Sequence, residues 1–290
     1  MATTESVGAS ILRTQDFDGV VKGIAARSYK FKQAVTVIPT SAWKNYFFRE
    51  DPDVLAGGTT SNIRGIPRGA AFPQASVEFE RILSTIEKYG LRDFIYEEDM
   101  LSDDIDVMMR TLIKIAEGVV KSVDDAIWDA LTENRAPTNI NSISVTAGWS
   151  LSSAAIMDDL ESAEQQIAEN NYPVDNFLVY INPRDKRFIM KFLTDKGAQF
   201  PNLTEQKLNA GSIGKLGNKT FIVSRSVTSS YALMVVPKRC ATWKELRPLK
   251  TETEESKGRG ISVLSWEYGT LQLTDPKCVT LIGGTANTDT

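Results

Sequence analysis

The chain has 290 residues and no histidine, which removes Ser-His-Asp and Cys-His catalysis, histidine metal sites and histidine pH switching together. A formal net charge of −4, with 42% hydrophobic and 24% charged residues, is ordinary for a globular protein and lacks the basic excess of a dedicated phosphate-gripping protein, although a wall enclosing nucleic acid needs no such excess. The length points to two packed bodies with extensions. No apolar run approaches the ~18 residues of a membrane span, and the start Met1 to Ser6 lacks the segments of a secretory signal, so a cytoplasmic protein is expected.

Residues 1–33 begin polar and irregular, then place Phe17, Val20, Val21 and Ile24 at near-helical spacing. The run Arg27-Ser28-Tyr29-Lys30-Phe31-Lys32 alternates basic and aromatic residues. It fits an edge strand with a wet polar face, and it also offers charge and stacking to a nucleic acid. Residues 35–49 read as a strand interrupted at Pro39. Gly57, Gly58, Gly65, Pro67, Gly69 and Pro73 rule out a regular element from 57 to 73, and a loop of that length between two extended arms predicts a projection. A second arm starts at Ser76 with Val77, Phe79, Ile82 and Ile86.

Tyr89 to Ile95 leads into six carboxylates between positions 97 and 106. They lack the spacing of a calcium loop, and Ser102 as N-cap with Asp103 and Asp104 in a first helical turn accounts for much of the cluster. Ile105, Met108, Met109, Leu112, Ile115, Ala116, Val119, Val123, Ile127 and Leu131 then recur at three- and four-residue steps, predicting a helix over about 103–133 that Asn134 to Pro137 stop. A second helix is expected over 153–170, with Ile156, Leu160, Ala163 and Ile167 on one face.

Phe177 to Ile181 is a buried-strand run. Asn182 caps the next helix, Pro183 suits its first position, Phe188, Ile189, Phe192 and Leu193 form its inner face, and Gly197 ends it. Strands at 221–223 and 231–236 complete a helix-on-sheet module. Cys240 and Cys278 sit in apolar, strand-like settings and read as buried thiols. Lys250 to Gly258 reads as a polar loop, and strands at 261–268 and 278–282 flank the turn Asp275-Pro276. The tail 283–290 is expected to be mobile.

Gly211-Ser-Ile-Gly214-Lys215-Leu216 resembles part of a phosphate loop but has Asn209 and Leu216 where Gly and Ser or Thr are required. The residues therefore nominate no catalytic, cofactor-binding or metal site. A cytosolic enzyme working through carboxylates alone is the remaining catalytic class, with no pair singled out.

Ile181-Asn182-Pro183-Arg184-Asp185 with its apolar helix, Tyr89-Gly90 before the long helix, and the closing Trp266-Glu267-Tyr268, Asp275-Pro276 and Val279 to Ile282 share an order and spacing. In these the chain resembles the major capsid proteins of tailed phages with the Hong Kong 97-type fold, and the related encapsulin shells. The likeness runs along nearly the whole chain by element order. It implies an α+β fold with an N-terminal arm (1–33), an extended loop (34–96), a peripheral domain carrying a long spine helix (97–148 and 240–290) and an axial domain (149–239). It implies a structural protein, not an enzyme, without cofactor. Copies would form pentamers and hexamers of an icosahedral shell enclosing double-stranded DNA without sequence-specific binding. The expected partners are the chain itself and scaffolding, portal and decoration proteins, with no membrane. The expected location is the virion capsid, assembled in the host cytoplasm. An encapsulin-type compartment is the alternative.

Two departures stand out. Some relatives weld subunits through a lysine on the extended loop, but no lysine lies between Lys44 and Lys88, so no covalent chainmail is expected. Some also begin with a long cleavable scaffolding segment. The polar start leaves no room for one, so a separate scaffold or a chain already processed is expected.

Overall fold

The computed structural model describes residues 29–50, 79–98, 105–195 and 214–286, with positions 19, 21–23, 25, 68 and 69. The excursion at 57–73 (apart from 68 and 69), the Ser102 cap, the Gly197 stop and the end of the tail lie outside the described residues.

Helix α1 (Ile105–Leu131) spans 27 residues, about 40 Å at ~1.5 Å per residue. Leu112, Ile115, Ala116, Val119, Val120, Val123, Ile127, Trp128 and Leu131 are all buried, as the three- and four-residue period requires. The helix serves two cores. Its first half packs with Val21, Ala25, Ile95, Leu249 and Val263. Its second half joins a larger cluster with Phe31, Tyr180, Trp243 and Cys278. The stop is a left-handed turn: Glu133, Asn134 and Arg135 have φ of 47°, 54° and 67°. The Glu133 carboxylate secures it by accepting from the Thr138 and Asn139 amides at 2.7 and 2.9 Å.

Strands β1 (Thr36–Pro39), β2 (Lys44–Glu50), β3 (Phe79–Thr85) and β4 (Glu87–Tyr96) come from the stretch expected to form two arms. The break at Pro39 sends β1 and β2 to different partners. β2 and β3 form a separate antiparallel hairpin, whereas β1 and β4 are the edges of a four-stranded sheet ordered β1-β10-β11-β4. Its middle is a long ribbon, β10 (Ala241–Ser256) and β11 (Gly260–Leu273).

The stretch 250–258, expected as a polar loop, is instead a strand end and a tight turn. β10 continues to Ser256, and only Lys257 to Arg259 turn. Thr251 and Thr253 point to the more buried face, between the exposed Lys250, Glu252 and Glu254, and the Thr251 hydroxyl meets the Ser265 hydroxyl at 2.8 Å. That is the two-residue period of a half-buried strand written in polar letters. The ribbon slips register around Arg247, next to Pro248, which has no N–H to give to the ladder. Two glycines permit close packing on it. A Cβ on Gly90 would stand 3.0 Å from the Cβ of its cross-strand partner Trp266, and the Trp243 ring fills the place of a side chain on Gly269.

The second sheet has six strands ordered β5-β12-β9-β6-β8-β7: β5 (Asn141–Ser144), β6 (Phe177–Ile181), β7 (Lys215–Leu216), β8 (Lys219–Val223), β9 (Tyr231–Val235) and β12 (Val279–Gly283). Helix α2 (Ile156–Glu169) buries Ile156, Leu160, Ala163 and Ile167, the face read from the sequence. Helix α3 (Pro183–Asp195) links the parallel pair β6 and β8. Its start follows the expected chemistry. The Asn182 carboxamide oxygen accepts from the Arg184 amide at 3.0 Å, its NH₂ donates to the Val227 carbonyl at 2.7 Å, and Pro183 takes the first position. β5 and β12 hydrogen-bond within this sheet, so chain from both sides of the 149–239 segment closes it. Cys240 and Cys278 are buried free thiols, and burial pushes the Cys240 thiol up to about 12.

Candidate functional site at the arm junction and the projecting hairpin

Residues 29–32 are not an edge strand, and their side chains turn inward. Phe31–Gln33 is a single 3-10 turn, and its neighbours point into the protein where the two sheets and α1 meet. Phe31 is fully buried and stacked on Tyr180, with Trp128 edge-on at 5.9 Å. The Lys30 and Phe31 amides donate to the two oxygens of Asp124 on α1, at 3.1 and 3.3 Å. The Lys30 ammonium donates to the Val223 carbonyl on β8, and the Tyr180 hydroxyl donates to the Lys30 carbonyl at 3.0 Å. Toward the other sheet, the Lys32 ammonium pairs with Glu267 on β11 and stands 3.6 Å from Glu245 on β10. The Tyr29 hydroxyl donates to the second Glu267 oxygen at 2.5 Å.

Four consecutive residues, Tyr29 to Lys32, thus reach α1, β6, β8, β10 and β11. Burial is the largest influence on the acids here. It pushes Asp124 up to about 6, against the pull of the two amides and of Lys32 and Lys30, and it raises Glu245 despite Lys32. Burial, with Glu267 beside it, also holds the Tyr29 hydroxyl far above the usual range for a phenol. Among the described residues of the run, both cations, Lys30 and Lys32, are spent internally.

The β2–β3 hairpin has two unlike faces. Register pairs Asn45 with Ser84, Phe47 with Ile82 and Arg49 with Glu80 on the side toward the body. Tyr46 opposite Leu83, and Phe48 opposite Arg81, lie on the outer side, where Tyr46 is 57% and Leu83 48% exposed. The Arg81 guanidinium covers part of the Tyr46 ring at 3.9 Å. At the hairpin base, Trp43 is 48% exposed and meets Tyr268 edge-on at 6.0 Å. The hairpin rests lightly on the body: the Ser84 hydroxyl donates to Thr270 Oγ1 at 3.3 Å. A cleft of about 370 Å³ runs beneath it and shares Glu87, Ala130, Thr270 and Leu271 with an adjoining cleft of about 330 Å³ between α1 and the ribbon. Large apolar groups gathered on the outer side of a water-facing strand pair are the kind of surface that interaction sites present.

Among the described residues no group of three or more Cys, Asp and Glu side chains is placed to hold a metal ion. Of the acidic run, Glu97 and Glu98 follow β4, and Asp99 to Asp104 lie outside the described residues. Sequence reasoning did not find the three acids that hold the arm. Asp124 was marked by one signal, a carboxylate inside the apolar stripe between Val123 and Ile127. Glu267 was marked by another, an acid beside Trp266 in a strand rich in apolar residues.

The phage capsid protein family matches residues 80–282. No curated protein matches the chain. Among solved structures, the virus-like particle from Pyrococcus furiosus has a TM-score of 0.65 at 10% identity, covering 93% of this chain and 99% of that one. The capsid of cyanophage P-SCSP1u gives 0.66 at 15% identity, with 88% of each chain covered, and the capsid of Ralstonia phage GP4 gives 0.61 at 11%, with 90% and 92% covered. The spine helix, the projecting hairpin, the long ribbon and the six-stranded sheet are thus arranged as in Hong Kong 97-type capsid subunits, and this chain belongs to the phage capsid protein family.

Proposed function

We propose that copies of this chain assemble into a closed icosahedral shell around double-stranded DNA, as the major capsid protein of a virion. The observation that carries the reading is the outer face of the β2–β3 hairpin, where Tyr46, Phe48 and Leu83 remain about half exposed side by side, with Trp43 half exposed at the base. Apolar surface of this kind is stabilised by ~25 cal/mol per Å² when a neighbour covers it. Head-to-tail contacts that close generate rings and shells.

Within that shell, residues 1–33 are the arm, 34–96 the extended loop, 97–148 with 240–290 the peripheral domain, and 149–239 the axial domain. The sheets support this division with two adjustments: β1 and β4, at the ends of 34–96, pair with the ribbon of the peripheral domain, and β5 and β12 pair with the axial strands and tie the two domains together. The shell is structural and holds its DNA without sequence-specific contacts. The inward use of Lys30 and Lys32 agrees with that, because it withdraws two cations of the arm from the surface. A separate scaffolding protein and a portal are the expected partners, and assembly takes place in the host cytoplasm.

The test is expression followed by negative-stain microscopy of the full chain and of a chain lacking residues 57–72. Closed particles from the first and folded, unassembled subunits from the second are expected. A monodisperse monomer from the full chain, or normal particles from the deletion, would overturn the reading. Nucleic acid inside native particles, in place of protein cargo, separates virion from compartment.

A further inference from the structure

Helices α2 and α3 precede and follow strand β6 and carry opposite charge. α2 holds five carboxylates, Asp158, Asp159, Glu161, Glu164 and Glu169, and no lysine or arginine. Asp159 turns into the core and accepts from the Trp149 indole N–H at 2.9 Å, while buried Lys219 holds Glu161 and Glu164. Asp158, Glu161 and Glu169 are exposed, and at 3.6 residues per turn they share a stripe about 80° wide. α3 exposes Arg184, Arg187 and Lys191 within about 60°, with Asp195 at the far end of the stripe. Arg184 and Arg187 both lie near the Phe188 ring, 5.6 and 5.3 Å from its centre, which restrains the two guanidinium groups.

Each stripe carries a charge that its own helix does not favour. Glu169 stands in the last turn of α2, where the macrodipole favours a cation, and Arg184 stands in the first turn of α3, where it favours an anion. Asp158 and Glu161 set like charges three residues apart. Among the described residues Asp158, Glu169, Arg184, Arg187 and Lys191 form no ion pair. One subunit therefore presents two exposed stripes of opposite sign that are mutually complementary.

Resting on the reading that copies close into a shell, we propose that the basic stripe of α3 docks on the acidic stripe of α2 of the next copy, in the head-to-tail contact that closes a capsomer ring. A heterologous contact requires two different complementary patches on one chain, and the acidic stripe of α2 with the three exposed cations of α3 supplies them. Wrong registers bring like signs together, so the same charges also select the ring geometry.

The test uses three full-length variants: R187E/K191E, D158K/E169K, and the quadruple combination. None of these positions is buried, and circular dichroism of each isolated subunit checks its fold. Each double reversal is expected to raise the subunit concentration needed for closed particles by at least ~10-fold, and the quadruple variant to recover most of that loss. Raising salt from ~0.1 M to ~1 M should weaken wild-type assembly in the same direction. Wild-type closure with both double variants closing equally well would overturn the pairing while leaving the shell intact. A folded quadruple variant without recovery would also overturn it, as would double variants that close normally but lose nucleic acid. Absence of particles from the wild type would instead count against the shell reading itself.

Discussion

The Phe31 ring lies on the Tyr180 ring with centres 4.2 Å apart and planes 14° from parallel, joining the arm to the six-stranded sheet. This stack is the apolar half of a junction whose polar half is Asp124, Lys32 and Glu267. Phe31 is fully buried, so Phe31→Ala is expected to cost ~3–5 kcal/mol through lost transfer energy and the cavity left behind. Thermal unfolding of the unassembled subunit should then fall by roughly 10 °C. An unchanged midpoint would mean that the arm is not part of the cooperative unit.

Lys32 and Glu267 form an ion pair in which the carboxylate has no exposure to solvent. Removing only the cation, by Lys32→Met, leaves Glu267 with the Tyr29 hydroxyl alone and should cost ~3–5 kcal/mol. Adding Glu267→Gln removes the stranded charge while keeping an acceptor for Tyr29, and should recover at least ~1 kcal/mol. Urea unfolding of the two single variants and the double measures the coupling. Additive losses would show that the pair is not coupled.

What could be read ahead follows from how local each cause is. The stripe from Leu112 to Leu131 and the Asn182-Pro183 start of α3 are set by residues within a turn of one another, and both are found where expected. Lys250 to Ser256 misleads because a strand whose wet face is Lys and Glu and whose covered face is Thr has the composition of a loop. Its two-residue period was the better guide. The inward turn of Tyr29 to Lys32 was not legible at all. Its partners Asp124, Tyr180 and Glu267 lie 94, 150 and 238 residues away in the chain, and only the fold brings them together. The hairpin was legible as two arms, but which face looks outward depends on where Thr270 and Tyr268 stand.

Two buried carboxyls set a pH dependence. Burial pushes Asp124 up to about 6, and likewise Asp185, which accepts from the Thr285 hydroxyl at 3.1 Å and lies beside Arg184. Folded values above the ordinary one mean that the folded state holds these protons more tightly. Their stabilising contribution is complete below the ordinary carboxyl value and is lost as pH rises through about 6. Glu133, held below its usual range by its amide donors although partial burial opposes them, acts oppositely but only at more acid pH. Subunit stability is therefore expected to be greater near pH 5 than near pH 7.5, by ~1–3 kcal/mol for each buried acid. Asp124→Asn should flatten part of that slope. Equal slopes in wild type and variant, measured by urea unfolding at several pH values, would remove Asp124 from the explanation.

The outer face of the hairpin separates folding from assembly. Tyr46 and Leu83 face each other across β2 and β3, away from the body, so replacing them removes little that the subunit itself uses. Tyr46→Ser with Leu83→Thr keeps strand length and register and is expected to change subunit stability by less than ~1 kcal/mol. If a second copy covers these groups, each fully buried aromatic or leucine contributes ~1.5–3 kcal/mol per contact. That loss recurs at every subunit of a shell, so closed particles should disappear at concentrations where the wild type assembles. Light scattering and negative-stain microscopy read assembly, and the melting temperature of the unassembled subunit reads folding. A variant that melts like the wild type and still closes would show that the exposed aromatic face is not what neighbouring copies cover. A variant that melts much lower would show that the face serves the subunit's own fold.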